Sequence, residues 1–201
     1  AAAASLPELG KREDLRAIAF VTIDGEDAKD FDDAVFAEPA PENCWRIIVA
    51  IADVSTYVQS DDILDKEARQ RGNSVYLPGT VVPMLPETLS NGLCSLRPHE
   101  DRACLAVEII IDSAGNKQSH KFFQALIKSS ARLTYTLVQQ VIEGSLDEAD
   151  CTVTPGTLHH LIGAFRTLHK SRNRRGTLNL NLSEARIQFD KTDQPVGVTE
   201  H

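Results

Sequence analysis

No run in this chain approaches the roughly 20 consecutive apolar residues that a membrane-spanning helix needs. No charged segment followed by an apolar core opens it as a secretory leader would, and Ala1 to Ala4 is only a short alanine tract. No membrane partner is therefore expected. Cysteine is scarce as well. Cys44, Cys94, Cys104 and Cys151 form no C-x-x-C pair and have no histidine at ligand spacing, which argues against structural zinc. Reduced thiols and a cytoplasmic location are the expectation. Positive charge is also short: 21 Lys and Arg face 29 Asp and Glu, for a net charge of −8. Self-sufficient nucleic-acid-binding domains tend to be basic, so this chain is not one on its own. Internal repeats are absent.

What remains is ordinary globular composition, 42% apolar and 25% charged over 201 residues, enough for one substantial core or slightly more. Against that background ten residues stand out. Asp24-Gly25-Glu26-Asp27-Ala28-Lys29-Asp30-Phe31-Asp32-Asp33 follows directly on the apolar run Ala19-Phe20-Val21-Thr22-Ile23. Two unit charges about 4 Å apart repel by roughly 4 kcal/mol at an effective dielectric near 20. Such a run is tolerated behind a strand when something cationic sits among the carboxylates, and a hard divalent ion is the natural candidate. A solvated acidic loop is the simpler alternative. Phe31 and Ala34-Val35-Phe36 argue against it by returning the chain to the core at once. Asp24 ends the incoming strand. Asp30 and Asp32 share a face in extended backbone, and Asp33 needs a turn or bulge to join them.

Spacing excludes two other acidic motifs. A calcium-binding helical hand needs glycine sixth and glutamate twelfth. Counting from Asp24 puts Lys29 sixth and Val35 twelfth, and counting from Asp30 puts Ala34 at the fifth position. An aspartyl-phosphate nucleophile motif wants Asp-x-Asp after the strand, where this chain has Asp24-Gly25-Glu26. Metal-assisted phosphodiester chemistry remains.

Elsewhere the pattern predicts an α+β fold, a mixed or antiparallel β-sheet with packed helices. Strands are expected over 18–24, 34–38, 45–52, 74–77 and 103–111, the last returning through a turn at 112–116 into 118–127. Helices are expected over 61–71 (Ser60 as cap, Asp61 and Asp62 in the first turn, Gly72 as stop), 135–143 (Thr134 as cap, Gly144 as stop) and 156–174. Period-two patterning returns at 178–182 and 185–189. Residues 1–14 read as a tail or linker, and 15–201 as a piece of a larger domain, which the resemblance given below implies to be the N-terminal portion of a catalytic domain. Arg166, His169, Lys170, Arg172, Arg174 and Arg175 form a basic stretch, either a solvated helix end complementing the dipole or a phosphate contact.

Several segments in fixed order resemble the RNB catalytic domain of the ribonuclease II/ribonuclease R family. They are 22–34, Val49-Ala50-Ile51-Ala52-Asp53-Val54-Ser55, Arg71-Gly72-Asn73-Ser74-Val75-Tyr76-Leu77-Pro78, Pro83-Met84-Leu85-Pro86-Glu87, Leu89-Ser90-Asn91-Gly92-Leu93-Cys94-Ser95-Leu96 and Ala131-Arg132-Leu133-Thr134-Tyr135. The insertion Gly25-Glu26-Asp27 is similar to the ribonuclease R branch. The resemblance implies Mg²⁺-dependent 3′→5′ hydrolysis of RNA to nucleoside 5′-monophosphates, with Mn²⁺ as a substitute ion. The family's four active-site aspartates map onto Asp24, Asp30, Asp32 and Asp33. Of these, Asp24, Asp33 and Asp32 are expected to hold metal, Asp32 and Asp30 to serve chemistry, and Asp32 to matter most. Tyr76 matches the tyrosine that stacks on the 3′-terminal base, against the alternative of a half-buried strand tyrosine. Tyr135 matches a position near the sugar path, against that of a helix-start ring packed on the core. Asp53 matches a family position with an expected structural role, satisfying backbone donors.

Two departures accompany the match. Leu180 stands where the family usually has an aromatic facing the Tyr76 position. The arginine-rich second half of the domain, and the cold-shock and S1 modules of full-length members, are not in this sequence. The expectation is therefore an incomplete RNB fold with exposed apolar surface, weak RNA binding and little activity alone, whose partners are the single-stranded RNA 3′ end and those missing parts. The alternative is a non-catalytic RNA-binding relative.

Overall fold

Ile47-Ile48-Val49-Ala50-Ile51-Ala52 is apolar at successive positions, the signature of a strand buried on both faces. It becomes the central strand of the sheet. The computed structural model describes residues 9–77, 80–178, 185–190 and 194–200. In chain order the elements are β1 (Glu13–Asp14), β2 (Val21–Asp24), β3 (Asp33–Ala40), β4 (Cys44–Ala52), α1 (Ile63–Arg71), β5 (Val75–Leu77), β6 (Thr80–Val82), β7 (Asp101–Ile111), β8 (Lys117–Lys128), β9 (Ala131–Thr134), α2 (Tyr135–Glu143), α3 (Thr157–Arg174), β10 (Ala185–Phe189) and β11 (Pro195–Glu200). Seven of them form one sheet in the order β1-β8-β7-β4-β3-β2-β9. The β1–β8 and β2–β9 pairs are parallel and the rest antiparallel. The expected mixed α+β architecture is the one found.

Alternation along β4 divides the core. Ile48, Ala50 and Ala52 pack with Phe20, Phe31, Leu96 and Ile127 on one face. Ile47 turns to the other, where Leu158 and Ile162 of α3 and Leu137 and Val138 of α2 pack against Val21 and Leu133 of the sheet. Gly163 lets α3 approach that face, since a Cβ there would meet the Trp45 ring at 2.6 Å. Across β4, β7 and β8 the helices leave Ile51, Leu105 and Phe122 between 46% and 65% exposed, the uncovered apolar surface expected from the sequence. Among the described residues no helix is long and apolar enough to cross a membrane.

Local signals placed the helices closely, with one correction. Thr134 caps α2 by accepting from the Leu137 N–H at 3.2 Å, and Gly144 ends it at φ 74°. For α1 the cap is Asp62, not Ser60. The Asp62 carboxylate accepts from the Asp65 N–H at 2.7 Å, while Asp61 takes a left-handed φ of 65° outside the helix. A short carboxylate at the residue before the first turn satisfies that free N–H better than a hydroxyl two positions earlier. Three residues of the stretch read as tail are fixed to the fold. Glu13 and Asp14 pair with Ala125 and Leu126, and Arg12 reaches Asp53 at 2.6 Å. Leu180 and the rest of 179–184 lie outside the described residues.

Candidate active site

The acidic run sits at one end of the sheet because of how three strands meet. Parallel β2 and β9 stop together, Asp24 opposite Thr134. Antiparallel β3 starts at that same end with Asp33 as its first residue, paired to Ile51. The loop between carries Asp30 and Asp32. Asp33 therefore needs no bulge to join the group. Asp24 and Asp30 are half-buried, and Asp32 and Asp33 are open to solvent.

The loop is anchored from both sides of Phe31, whose ring is buried. The Phe31 N–H donates to Ser95 Oγ at 3.0 Å, and the Ser95 hydroxyl donates to the Lys29 carbonyl at 3.0 Å. The Leu96 N–H reaches the Phe31 carbonyl at 2.8 Å, and the Ala52 N–H reaches the Asp32 carbonyl at 2.9 Å. Beneath these, Arg102 is buried and donates to the carbonyls of Ser95 (2.7 Å) and Gly92 (3.1 Å), with Glu100 as its ion partner. At the loop's other end the Arg132 guanidinium donates to the carbonyls of Gly25 and Glu26 at 2.6 and 2.8 Å. These bonds hold in place a segment that carries six carboxylates, those of Asp24, Asp30, Asp32 and Asp33 among them.

The electrostatic strain is visible in the carboxyl groups. Partial burial pushes Asp24 above the ordinary carboxylate range and Asp33 adds to it; Arg132 opposes, and Asp30 and Asp32 push further. Asp32 is raised too, first because protein atoms line one side of it, then by Asp30 and Asp33. The four aspartates therefore feel one another. Hard oxygen donors crowded in this way suit a divalent ion by chemistry. Preformed geometry is a different matter. Among the described residues no three His, Cys, Asp or Glu side chains are grouped closely enough to hold a metal ion. The fit is one of donor type and of placement at one end of the sheet.

Tyr76 comes to this group from the β5–β6 hairpin. Its hydroxyl donates to Asp30 Oδ2 at 3.1 Å while 66% of the residue stays exposed, so it is not a half-buried strand tyrosine. Burial of its hydroxyl end and the Asp30 charge raise its pKa. Tyr135 follows Thr134, the residue opposite Asp24, and is 64% exposed, not packed on the core. Asp53 is structural, with a correction to its partners. Arg12 and the Ser55 hydroxyl, at 2.6 and 2.5 Å, satisfy its carboxylate in place of backbone donors. Burial pushes Asp53 up, and those bonds outweigh it, leaving its pKa lowered. The basic stretch lies far from the carboxylates. Near the end of α3 a Cβ on Gly115 would touch Ser171, which places that end by the β7–β8 turn, opposite the acidic loop. Sequence reasoning passed over Ser95, Arg102 and Arg132. An arginine between Ala131 and Leu133 in an apolar strand was the available signal for the last.

Comparison with known proteins agrees with this arrangement. A family model described as the RNB domain matches residues 12–201. Ribonuclease R of Vibrio parahaemolyticus is 48% identical over 189 residues, covering 92% of this chain and 22% of its own length. The chain thus spans about a quarter of the length of the curated relatives it matches. The structure of Mycoplasma genitalium RNase R in complex with double-stranded RNA aligns with a TM-score of 0.90 at 34% identity, covering 98% of this chain and 36% of that one. Yeast Ssd1, a pseudonuclease, shares the fold alone, with a TM-score of 0.62 and 21% identity over 68% of this chain and 18% of its own. The strand order, the carboxylate loop and the match over residues 12–201 converge, and the chain belongs to the RNB domain family.

Proposed function

We propose that this chain supplies the carboxylate part of an exoribonuclease active site. The whole protein hydrolyses RNA from a single-stranded 3′ end to nucleoside 5′-monophosphates, with Mg²⁺ as its ion and Mn²⁺ as a substitute. The observation that carries the reading is the convergence of Asp24, Asp30, Asp32 and Asp33 at one sheet end, with Tyr76 bonded to Asp30. Asp24, Asp32 and Asp33 would hold the ion. A divalent ion there supplies a Lewis acid for the scissile phosphate and an activated water. Asp30, oriented by the Tyr76 hydroxyl, sits between the base-binding surface and the metal-holding carboxylates. The exposed Tyr76 ring offers a stacking face for the terminal base, and Tyr135 a second surface beside Asp24. Stacking suits an enzyme that must accept any base, because every base has a π-face.

The fold does not decide between hydrolysis and binding, since a pseudonuclease shares it. Retention of all four aspartates favours hydrolysis over a non-catalytic RNA binder. The rest of the catalytic domain, and flanking cold-shock and S1 modules, supply the cationic grip that a chain of net charge −8 lacks. Four free thiols suit the reducing cytoplasm. Incubating the full-length protein with uniformly labelled RNA and Mg²⁺ tests the proposal. Release of mononucleotides from the 3′ end supports it, and RNA bound but uncut favours the pure binder.

Two substitutions separate the ring of Tyr76 from its hydroxyl. Tyr76→Ala is expected to weaken 3′-end binding by about 1–3 kcal/mol, the usual contribution of one stacked base. Tyr76→Phe keeps the face and is expected to hold affinity within about twofold while lowering kcat, because it frees only Asp30. Equilibrium binding and single-turnover cleavage of a short RNA read the two effects separately.

A further inference from the structure

Arg132 is the residue whose contacts exceed any role given to it above. It lies on β9 opposite Thr22, between Ala131 and Leu133, whose side chains enter the core under α2 and α3. Strand alternation sends the Arg132 side chain to the opposite face, where Phe31 is buried. There one nitrogen, Nη2, donates to the carbonyls of both Gly25 and Glu26. The guanidinium carbon stands 5.7 Å from the Phe31 ring centroid. Its Nε is buried without a hydrogen-bond partner among the described residues. A buried donor left unpaired is costly, so the guanidinium stays because its other contacts hold it.

Those contacts span the loop. Gly25 and Glu26 follow Asp24 directly, and Phe31 stands between Asp30 and Asp32. We propose that Arg132 is a positioning residue for the carboxylate group: it ties the two ends of the acidic loop together and thereby fixes Asp24 relative to Asp30, Asp32 and Asp33. The proposal rests on the metal-dependent reading above and deepens it. A competing role is that of a simple counter-charge which lets the carboxylates coexist. The two roles predict opposite signs. Removing a counter-charge leaves the carboxylates more attractive to a cation, so metal binding tightens. Removing a brace lets Asp24 drift from the others, so metal binding weakens.

The experiment compares the wild-type chain with Arg132→Gln and Arg132→Lys, using two readouts. Amide hydrogen exchange of the ion-free chain reports the loop itself. Arg132→Gln is expected to speed exchange at Ala28 and Phe31 about 10-fold or more, while β3 and β4 amides keep their rates. Mn²⁺ titration followed by electron paramagnetic resonance reports the carboxylates. Arg132→Gln is expected to bind Mn²⁺ about 10- to 100-fold more weakly, the scale of losing hydrogen bonds from a charged donor. Arg132→Lys, which keeps charge without the planar fork, should fall between. Unchanged loop exchange, or unchanged or tighter Mn²⁺ binding, overturns the positioning role. If Arg132→Gln does not fold, Arg132→Lys is judged by the same criteria. Should the wild-type chain bind no Mn²⁺, the metal-dependent reading fails, and the exchange rates still decide the place of Arg132.

Discussion

Asp32→Asn is expected to lower kcat in the full-length protein by on the order of 10³-fold, with RNA affinity nearly intact. Asparagine matches aspartate in size and removes only the charge, so packing around Phe31 and the bond from Ala52 to the Asp32 carbonyl survive. What disappears is a carboxylate open to the solvent side of the loop, where a substrate phosphate has access. Loss confined to kcat identifies an interaction made in the transition state. Turnover comparable to wild type removes Asp32 from the mechanism. The same substitution should raise the melting temperature of the ion-free chain at pH 7. The Asp32 carboxyl is raised by partial burial and by Asp30 and Asp33. Between its unfolded and folded pKa values the folded state holds a proton that the unfolded chain has released, so stability falls as pH rises through that window. Above the window the penalty is fully present, and Asp32→Asn relieves it. The gain should fade as the pH falls into the ordinary carboxylate range. A variant that is more stable and inactive is the signature of a site that stores repulsion for function.

The boundary between what the sequence shows and what it hides follows the range of the interactions. β4 was readable from its own apolar run, α2 from the Thr134 cap and Gly144, and the β7–β8 hairpin from the turn at 112–116. Each depends on residues within a few positions. β1 was not readable, because two residues pairing in parallel with a strand over 100 positions away leave no local trace. β9 was hidden for a related reason: its four residues pair with β2, itself over 100 positions earlier, and then pass directly into α2. The site divides the same way. The carboxylates announced themselves by crowding, whereas the groups that hold them come from afar: Ser95 is 64 residues from Phe31, and Arg132 is 107 from Gly25. Sequence crowding predicted that a cation should sit among the aspartates. The structure also brings the Arg132 guanidinium within electrostatic reach of Asp24, an interaction from a distant strand that the crowding itself does not reveal.

Phe31→Ala should cost about 3–5 kcal/mol of folding free energy, the usual range for deleting a buried phenyl ring. The ring is 9% exposed and packs in the face of the core that also holds Phe20, Ile48 and Leu96. Little nearby can move to fill the space, because β4 is paired along its length on both sides. The Arg132 guanidinium loses its ring partner as well. Phe31→Leu keeps most of the volume and should cost under about 1.5 kcal/mol. Urea unfolding of the chain measures both, and an unchanged slope confirms that the variants differ in stability alone. Asp30 and Asp32 flank this residue, so a loosened position 31 releases two of the four carboxylates together. Phe31→Ala should therefore lose Mn²⁺ binding even at temperatures where it remains folded, while Phe31→Leu retains it. Equal Mn²⁺ binding by the two variants would show that the backbone bonds to Ser95 and Leu96 hold the loop without the ring.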